Sequence, residues 1–184
     1  MAASASMLEV IQLLVAQLAA FQAVLLLASG LHKLIRRHRT QTIVHEFAGV
    51  PRNAAPLAVG VVALAELLAS LLLLMPSYRA AGGVLAGLIW ASYLLLILRA
   101  IAQGRRNVDC GCTFGAAQRP LGAYQGVRNG LLTSAALVVA AECAVSATGP
   151  VTPSQILAAC ALLALYGALD QVMALRPLRS GHWA

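Results

Sequence analysis

Two cysteines separated by one glycine, Cys110-Gly111-Cys112, stand inside the segment Asp109-Cys110-Gly111-Cys112-Thr113-Phe114-Gly115. Thiols this close can pair only across a very short loop. Such a loop strains the bond, and strained or exposed disulfides are the labile, catalytic kind rather than the structural kind. Gly111 gives the backbone the freedom that the turn requires. Arg105 and Arg106, just upstream, favour the thiolate, the form that attacks a disulfide or binds a metal, while Asp109 opposes them. The chemistry indicated is thiol–disulfide exchange, with one cysteine attacking and the other resolving a mixed disulfide.

Two other uses of the same pair stay open. Cys110 and Cys112 could supply ligands to Zn or Cu(I), with His32, His38, His45 and His182 as nitrogen donors. Structural zinc sites, however, use C-x₂₋₄-C spacing with a second ordered pair, and these histidines are scattered, so no metal ligand set is assigned. The pair could also be structural or inert. The other two cysteines, Cys143 and Cys160, lie at depths that differ by about 3 Å at 1.5 Å per helical residue, and they define a second thiol pair to be tested. Glu142 beside Cys143 is a candidate proton acceptor for it. Against that, cysteine is a small apolar residue that is often simply buried.

The elements that must carry these residues are membrane helices. The 184-residue chain is 60% hydrophobic and 10% charged, where soluble domains average about 45–50% and about 25%. Its apolar residues form five blocks of the length needed to cross about 30 Å of hydrocarbon. The spans predicted are Leu8 to Leu31, Pro56 to Met75, Ala80 to Ala102, Val127 to Ala147 and Ser154 to Leu175, with proline or glycine at several boundaries. The expectation is an all-α polytopic bundle forming one integral membrane domain over 1–184, with the cysteine pair in a loop over 103–126. Span one is read as a retained helix, not a cleaved signal, because no basic segment precedes it. The polar piece from His32 to Arg52 carries Ile43, Val44 and Phe47 among charged residues and reads as an amphipathic interfacial segment.

The net charge is +7. Twelve of the thirteen Lys and Arg residues flank the loops after spans one, three and five, and only Arg79 falls on the other side. The positive-inside rule then places the amino terminus outside and both the cysteine loop and the carboxyl terminus in the cytoplasm of a bacterial inner membrane. The basic charge is topology, and nucleic acid is not an expected partner. Inside the spans, Glu66, Glu142 and Asp170 must face the bundle, because a charge at the bilayer centre costs about 2.5–3.5 kcal/mol. Glu66 is expected to be neutral or to pair with His32 or a basic residue, and Asp170 to lie near Arg176 and Arg179. Gly83 and Gly87 form a small-xxx-small pair suited to close helix approach. Trp90 and Tyr93, in the interior of span three, read as packing and not as a quinone site.

The D-C-G-C-x-F-G segment, with Gly104-Arg105-Arg106 before it and Arg128-Asn129 at the head of the next helix, resembles the MauE family of methylamine-utilisation membrane proteins. Gly30-Leu31-His32-Lys33, Val50-Pro51 and Glu66 are similar to the broader DoxX-like group. The resemblance implies a four-helix DoxX-like core plus one further helix. It also implies a role in maturing disulfide-rich extracytoplasmic proteins such as methylamine dehydrogenase, beside a thioredoxin-like, MauD-type partner, with Cys110 and Cys112 as redox residues. No cofactor is required by this reading, although a quinone is compatible with it. The implied partner works outside, whereas the charge distribution puts the loop inside. The competing functions are metal handling through the cysteine loop and a non-enzymatic scaffold that recruits the thioredoxin-like protein.

Overall fold

A computed structural model describes residues 2–105, 123–146 and 149–175. All its regular structure is helical: α1 (Ala2–Ile35), α2 (Arg37–Ala48), α3 (Ala55–Leu74), a 3₁₀ turn at Pro76–Tyr78, α4 (Arg79–Ala102), α5 (Ala123–Val145) and α6 (Pro153–Leu175). Five of these helices are long and apolar enough to cross a membrane. They match the five expected spans. The remaining helix, α2, is the expected amphipathic piece, and it ends where Gly49 takes a left-handed conformation at φ 72°.

The spanning helices run up and down, so two ends can be defined. The α2 end gathers the C-termini of α1, α4 and α6 with the N-termini of α3 and α5. The turn end holds the two short connections, α3 to α4 and α5 to α6. Helices α1, α3, α4 and α5 enclose the core, in which Ala19, Leu26, Ala69, Leu73, Ala86 and Ala136 are fully buried. Small residues predominate because lipid supplies no hydrophobic drive between helices, and close backbone approach has to replace it.

Two adjacent glycines make that approach in two directions. A Cβ on Gly82 would stand 2.6 Å from the Leu73 nitrogen of α3, and one on Gly83 would stand 2.8 Å from the Ala140 nitrogen of α5. The expected Gly83–Gly87 face is thus the α4–α5 seam, where Gly87 meets Leu137. At the backbone level α6 lies closest to α1, and no Cα of α5 comes within 8 Å of one in α6. Despite their short connection, spans four and five do not pack backbone to backbone, and α1 contacts both.

Candidate functional site

Polar residues are spaced along α1 so that they share one stripe: Gln22, Ser29 and Lys33 differ by seven and four positions, which brings them to one helix face. That stripe faces the bundle interior and organises two buried polar clusters. In the middle of the bundle, the indole nitrogen of Trp90 donates to Gln22 Oε1 at 2.7 Å, and Gln22 Nε2 donates to the Leu132 carbonyl at 2.9 Å. This links α1, α4 and α5 by fully satisfied bonds.

The second cluster lies toward the α2 end and is centred on Glu66, which is fully buried. Lys33 Nζ approaches Glu66 Oε1 and Oε2 at 2.7 and 2.9 Å. Lys33 also donates to Ser29 Oγ at 2.7 Å, Ser29 donates to Glu66 Oε1 at 3.0 Å, and the Tyr93 hydroxyl donates to the same oxygen at 2.6 Å. The ammonium lies 5.4 Å from the centre of the Tyr93 ring. Three helices thus contribute to one ion pair, and every polar atom named has a partner, the condition under which a buried charged pair is tolerable. Glu66 pairs with Lys33 rather than with His32, as the α1 stripe dictates.

A cavity of about 170 Å³ adjoins this cluster. Its roof is the apolar face of α2, with Ile43, Val44 and Phe47, and its floor is Val59, Val62 and Leu96 of α3 and α4. Lys33, Thr40 and Tyr93 are the polar residues that complete its lining. A smaller crevice of about 60 Å³ shares Phe47, Ala48 and Leu96 with it and extends to Arg99 and Arg105. Arg105 is the one expected site residue of the cysteine segment that falls within the described residues. Its guanidinium donates to the Glu46 carbonyl of α2. The adjoining Gly104, at φ 70°, ends α4 in a left-handed cap closed by Arg105 N to Ala100 O at 2.9 Å. Cys110, Cys112, Arg106 and Asp109 lie outside the described residues.

A second buried ion pair joins α5 to α6. Arg128 Nη1 donates to Asp170 Oδ1 at 2.9 Å, and the guanidinium stands 5.7 Å from the ring centre of Tyr166. Asp170 therefore pairs with Arg128 across the bundle. Next to it, Asn129 is fully buried and donates to the Gln125 carbonyl at 2.9 Å, while its Oδ1 accepts no hydrogen bond.

The family model described as methylamine utilisation protein MauE matches residues 11–142. The chain belongs to the MauE family. No curated protein and no solved structure matches it. In this MauE chain the matched residues take in α2, the Glu66 cluster, the cysteine segment and the Arg128-Asn129 pair, whereas α6 lies beyond them. The Arg128 partner, Asp170, is thus supplied by a helix outside the matched portion.

Neither Cys143 nor Cys160 is in a disulfide; the first is half-buried and the second exposed. Since α5 and α6 stay more than 8 Å apart at every Cα, the two cannot be bridged without backbone movement. The expected second thiol pair is not formed. Cys143 instead packs within hydrogen-bonding reach of Arg79, and Glu142 is half-buried beside it. Sequence reasoning set Tyr93 aside as packing and named no partner for Lys33. The signal that could have found them was the common face of Gln22, Ser29 and Lys33, opposite a lone acid in span two.

Proposed function

We propose that this MauE protein is a thiol–disulfide redox protein of the bacterial cytoplasmic membrane, exchanging electrons through Cys110 and Cys112 with a thioredoxin-like partner. In doing so it would support disulfide formation in extracytoplasmic proteins of the methylamine-utilisation kind. The observation that carries this reading is the Cys-Gly-Cys sequence, five residues beyond an arginine anchored to α2, in a chain of this family. In the exchange, the thiolate of one cysteine attacks a sulfur of the partner's disulfide. The partner's other sulfur leaves as a thiolate, and the second cysteine then displaces the first partner sulfur. Two electrons pass to the partner, which becomes a dithiol, while Cys110–Cys112 becomes a disulfide. The same steps run backward when the partner is the donor.

The basic residues support an inward-facing loop. Among the described residues, Arg36, Arg37, Arg39, Arg52, Arg99 and Arg105 are exposed at the α2 end, whereas Arg79 at the turn end is fully buried. Lys33 and Arg128 are also buried and paired, so among the described residues the exposed Lys and Arg charge falls on one end. The α2 end is accordingly taken as cytoplasmic, with the amino terminus outside.

The test combines trapping with labelling. In Cys110→Ser and Cys112→Ser single variants, one of the two should accumulate a mixed disulfide with a thioredoxin-like protein, and the double variant should lose it. An impermeant thiol reagent should modify Cys110 in inverted vesicles and not in intact cells. A double variant with full activity would leave only the scaffold role, and stoichiometric zinc or copper on the purified protein would replace redox exchange by metal handling.

A further inference from the structure

We infer that the cavity beneath α2 and the crevice beside it form a site for one anionic phospholipid of the bilayer, with an acyl chain in the cavity and the headgroup phosphate at Arg99 and Arg105. The cavity offers a ligand carbon and almost nothing else. Lys33 turns its ammonium to Glu66 and Ser29, Tyr93 donates its hydroxyl to Glu66, and the Thr40 hydroxyl donates to the Arg36 carbonyl at 3.1 Å. With those polar atoms engaged, the surface left to an occupant is the apolar face of α2 over Val59, Val62 and Leu96. Such a lining suits hydrocarbon and penalises a ligand that has to bury polar atoms there. The volume is about 170 Å³. An apolar cavity of about 150 Å³ holds benzene, so this one takes a stretch of roughly six to eight chain carbons.

The crevice differs in kind. It borders on the same Phe47, Ala48 and Leu96 as the cavity, and beyond them it is lined by Arg99, Gln103 and Arg105. Both arginines are exposed. Arg105 donates to the Glu46 carbonyl, and a guanidinium carries five donors, enough to serve a phosphate oxygen as well. Arg36, Arg37, Arg39 and Arg52 are exposed at the same end, where Glu46 is the one exposed acid among the described residues. A cationic crevice that adjoins a hydrocarbon slot is complementary to an amphiphile with an anionic head.

The two halves select the occupant together. A free phosphate would leave the cavity unused, and an uncharged lipid would leave the arginines unused. The amphipathic α2 sets the site at the membrane interface, where the bilayer itself supplies a molecule with both parts. The positive-inside rule accounts for arginines at this end of the bundle, but not for two of them lining a crevice that meets an apolar cavity. Every residue named in the site is a described one, and lipid binding there needs no electron exchange at the cysteines.

The experiment is native mass spectrometry of the full-length protein released from nanodiscs of equimolar phosphatidylglycerol and phosphatidylcholine, with retained lipid counted per chain. The wild type should keep one phosphatidylglycerol, preferred roughly tenfold or more over phosphatidylcholine, since each arginine at an anionic surface is worth about fivefold. The Arg99→Gln, Arg105→Gln double variant changes exposed residues alone and should bring the preference to about parity. Val62→Phe, which fills the cavity from α3, should lower retention of either lipid roughly tenfold by steric exclusion. Excess inorganic phosphate should leave the lipid in place. Equal retention of the two lipids by the wild type, or a preference that survives in the arginine variant, would overturn the inference, and that arm decides the matter if Val62→Phe does not fold. Wild-type retention by a folded Val62→Phe would overturn it too, and displacement by phosphate would reduce the site to an anion site without a chain. A two-chain species that persists without lipid and is lost in Val62→Phe would give the face to a second copy instead.

Discussion

The two ends of the bundle handle buried charge in different ways. At the turn end, Arg79 is fully buried and donates to backbone carbonyls. Its Nε donates to the Leu73 carbonyl at 3.0 Å, and its Nη1 donates to the Gly149 carbonyl at 3.1 Å. It thereby neutralises the C-terminal end of α3 and ties down the α5–α6 connection. At the α2 end, Lys33 and Glu66 form an ion pair shared with a phenol and set against a cavity. A cation that caps backbone carbonyls is a clamp. An acid and a base beside an apolar cavity are a site. The same energetic problem, a charge out of water, is solved structurally at one end and in a chemically usable way at the other.

The largest expected effect breaks the site end. Glu66→Leu leaves Lys33 buried without its acid and should cost about 3–5 kcal/mol, read as a lower unfolding temperature in detergent. The Lys33→Met, Glu66→Leu double variant replaces the pair by apolar groups and should recover most of that loss. Recovery of stability without recovery of mixed-disulfide trapping would separate the pair's chemical role from its structural one. If the double variant is as unstable as Glu66→Leu, the pair holds the bundle together and the contrast between the two ends disappears.

Next in size is the clamp. Arg79→Met keeps the apolar stem and removes the donors to Leu73 and Gly149, at an expected cost of about 1.5–3 kcal/mol. Mixed-disulfide trapping at the other end should be unchanged. Its loss at full folding would show that the ends are coupled. Gly83→Ala should cost about 1–3 kcal/mol, because its Cβ would meet α5 backbone 2.8 Å away and the helices would have to separate. The measurement is again thermal unfolding, and an unchanged midpoint would mean that the α4–α5 seam is looser than its geometry.

The architecture was legible because a bilayer imposes long apolar blocks, and Leu, Ala and Val runs of that length have few other readings. The amphipathic α2 and the Gly83 seam were legible for the same kind of reason, a periodic pattern against a uniform solvent. The partners of buried charges were not. Asp170 pairs with Arg128, a partner the sequence did not name, because the choice depends on which helices come together and not on sequence distance, while Arg176 and Arg179 lie outside the described residues. The same ignorance of neighbours suggested a Cys143–Cys160 pair. Span depth can be counted along a sequence, whereas the separation of the α5 and α6 backbones cannot. Tyr93 was hidden because an aromatic residue in a membrane helix looks alike whether its hydroxyl meets a carboxylate or lipid.

The smallest effect tests whether the turn end has any redox role. Cys160 is exposed on α6, and Cys143 is half-buried against Arg79, with no Cα of their two helices closer than 8 Å. Cys160→Ala removes a thiol with no partner to leave behind, so its cost should fall within about ±0.5 kcal/mol. Cys143→Ala gives up one weak contact with a guanidinium that keeps its bonds to Leu73 and Gly149, and it should also cost little. The double variant should therefore cycle its Cys110–Cys112 pair and trap its partner within about twofold of the wild type. A tenfold loss, with the unfolding midpoint unchanged, would mean that these thiols meet during turnover through a movement of α1, α5 or α6. The turn end would then hold a second dithiol, and the division between a clamped end and a reactive end would fail.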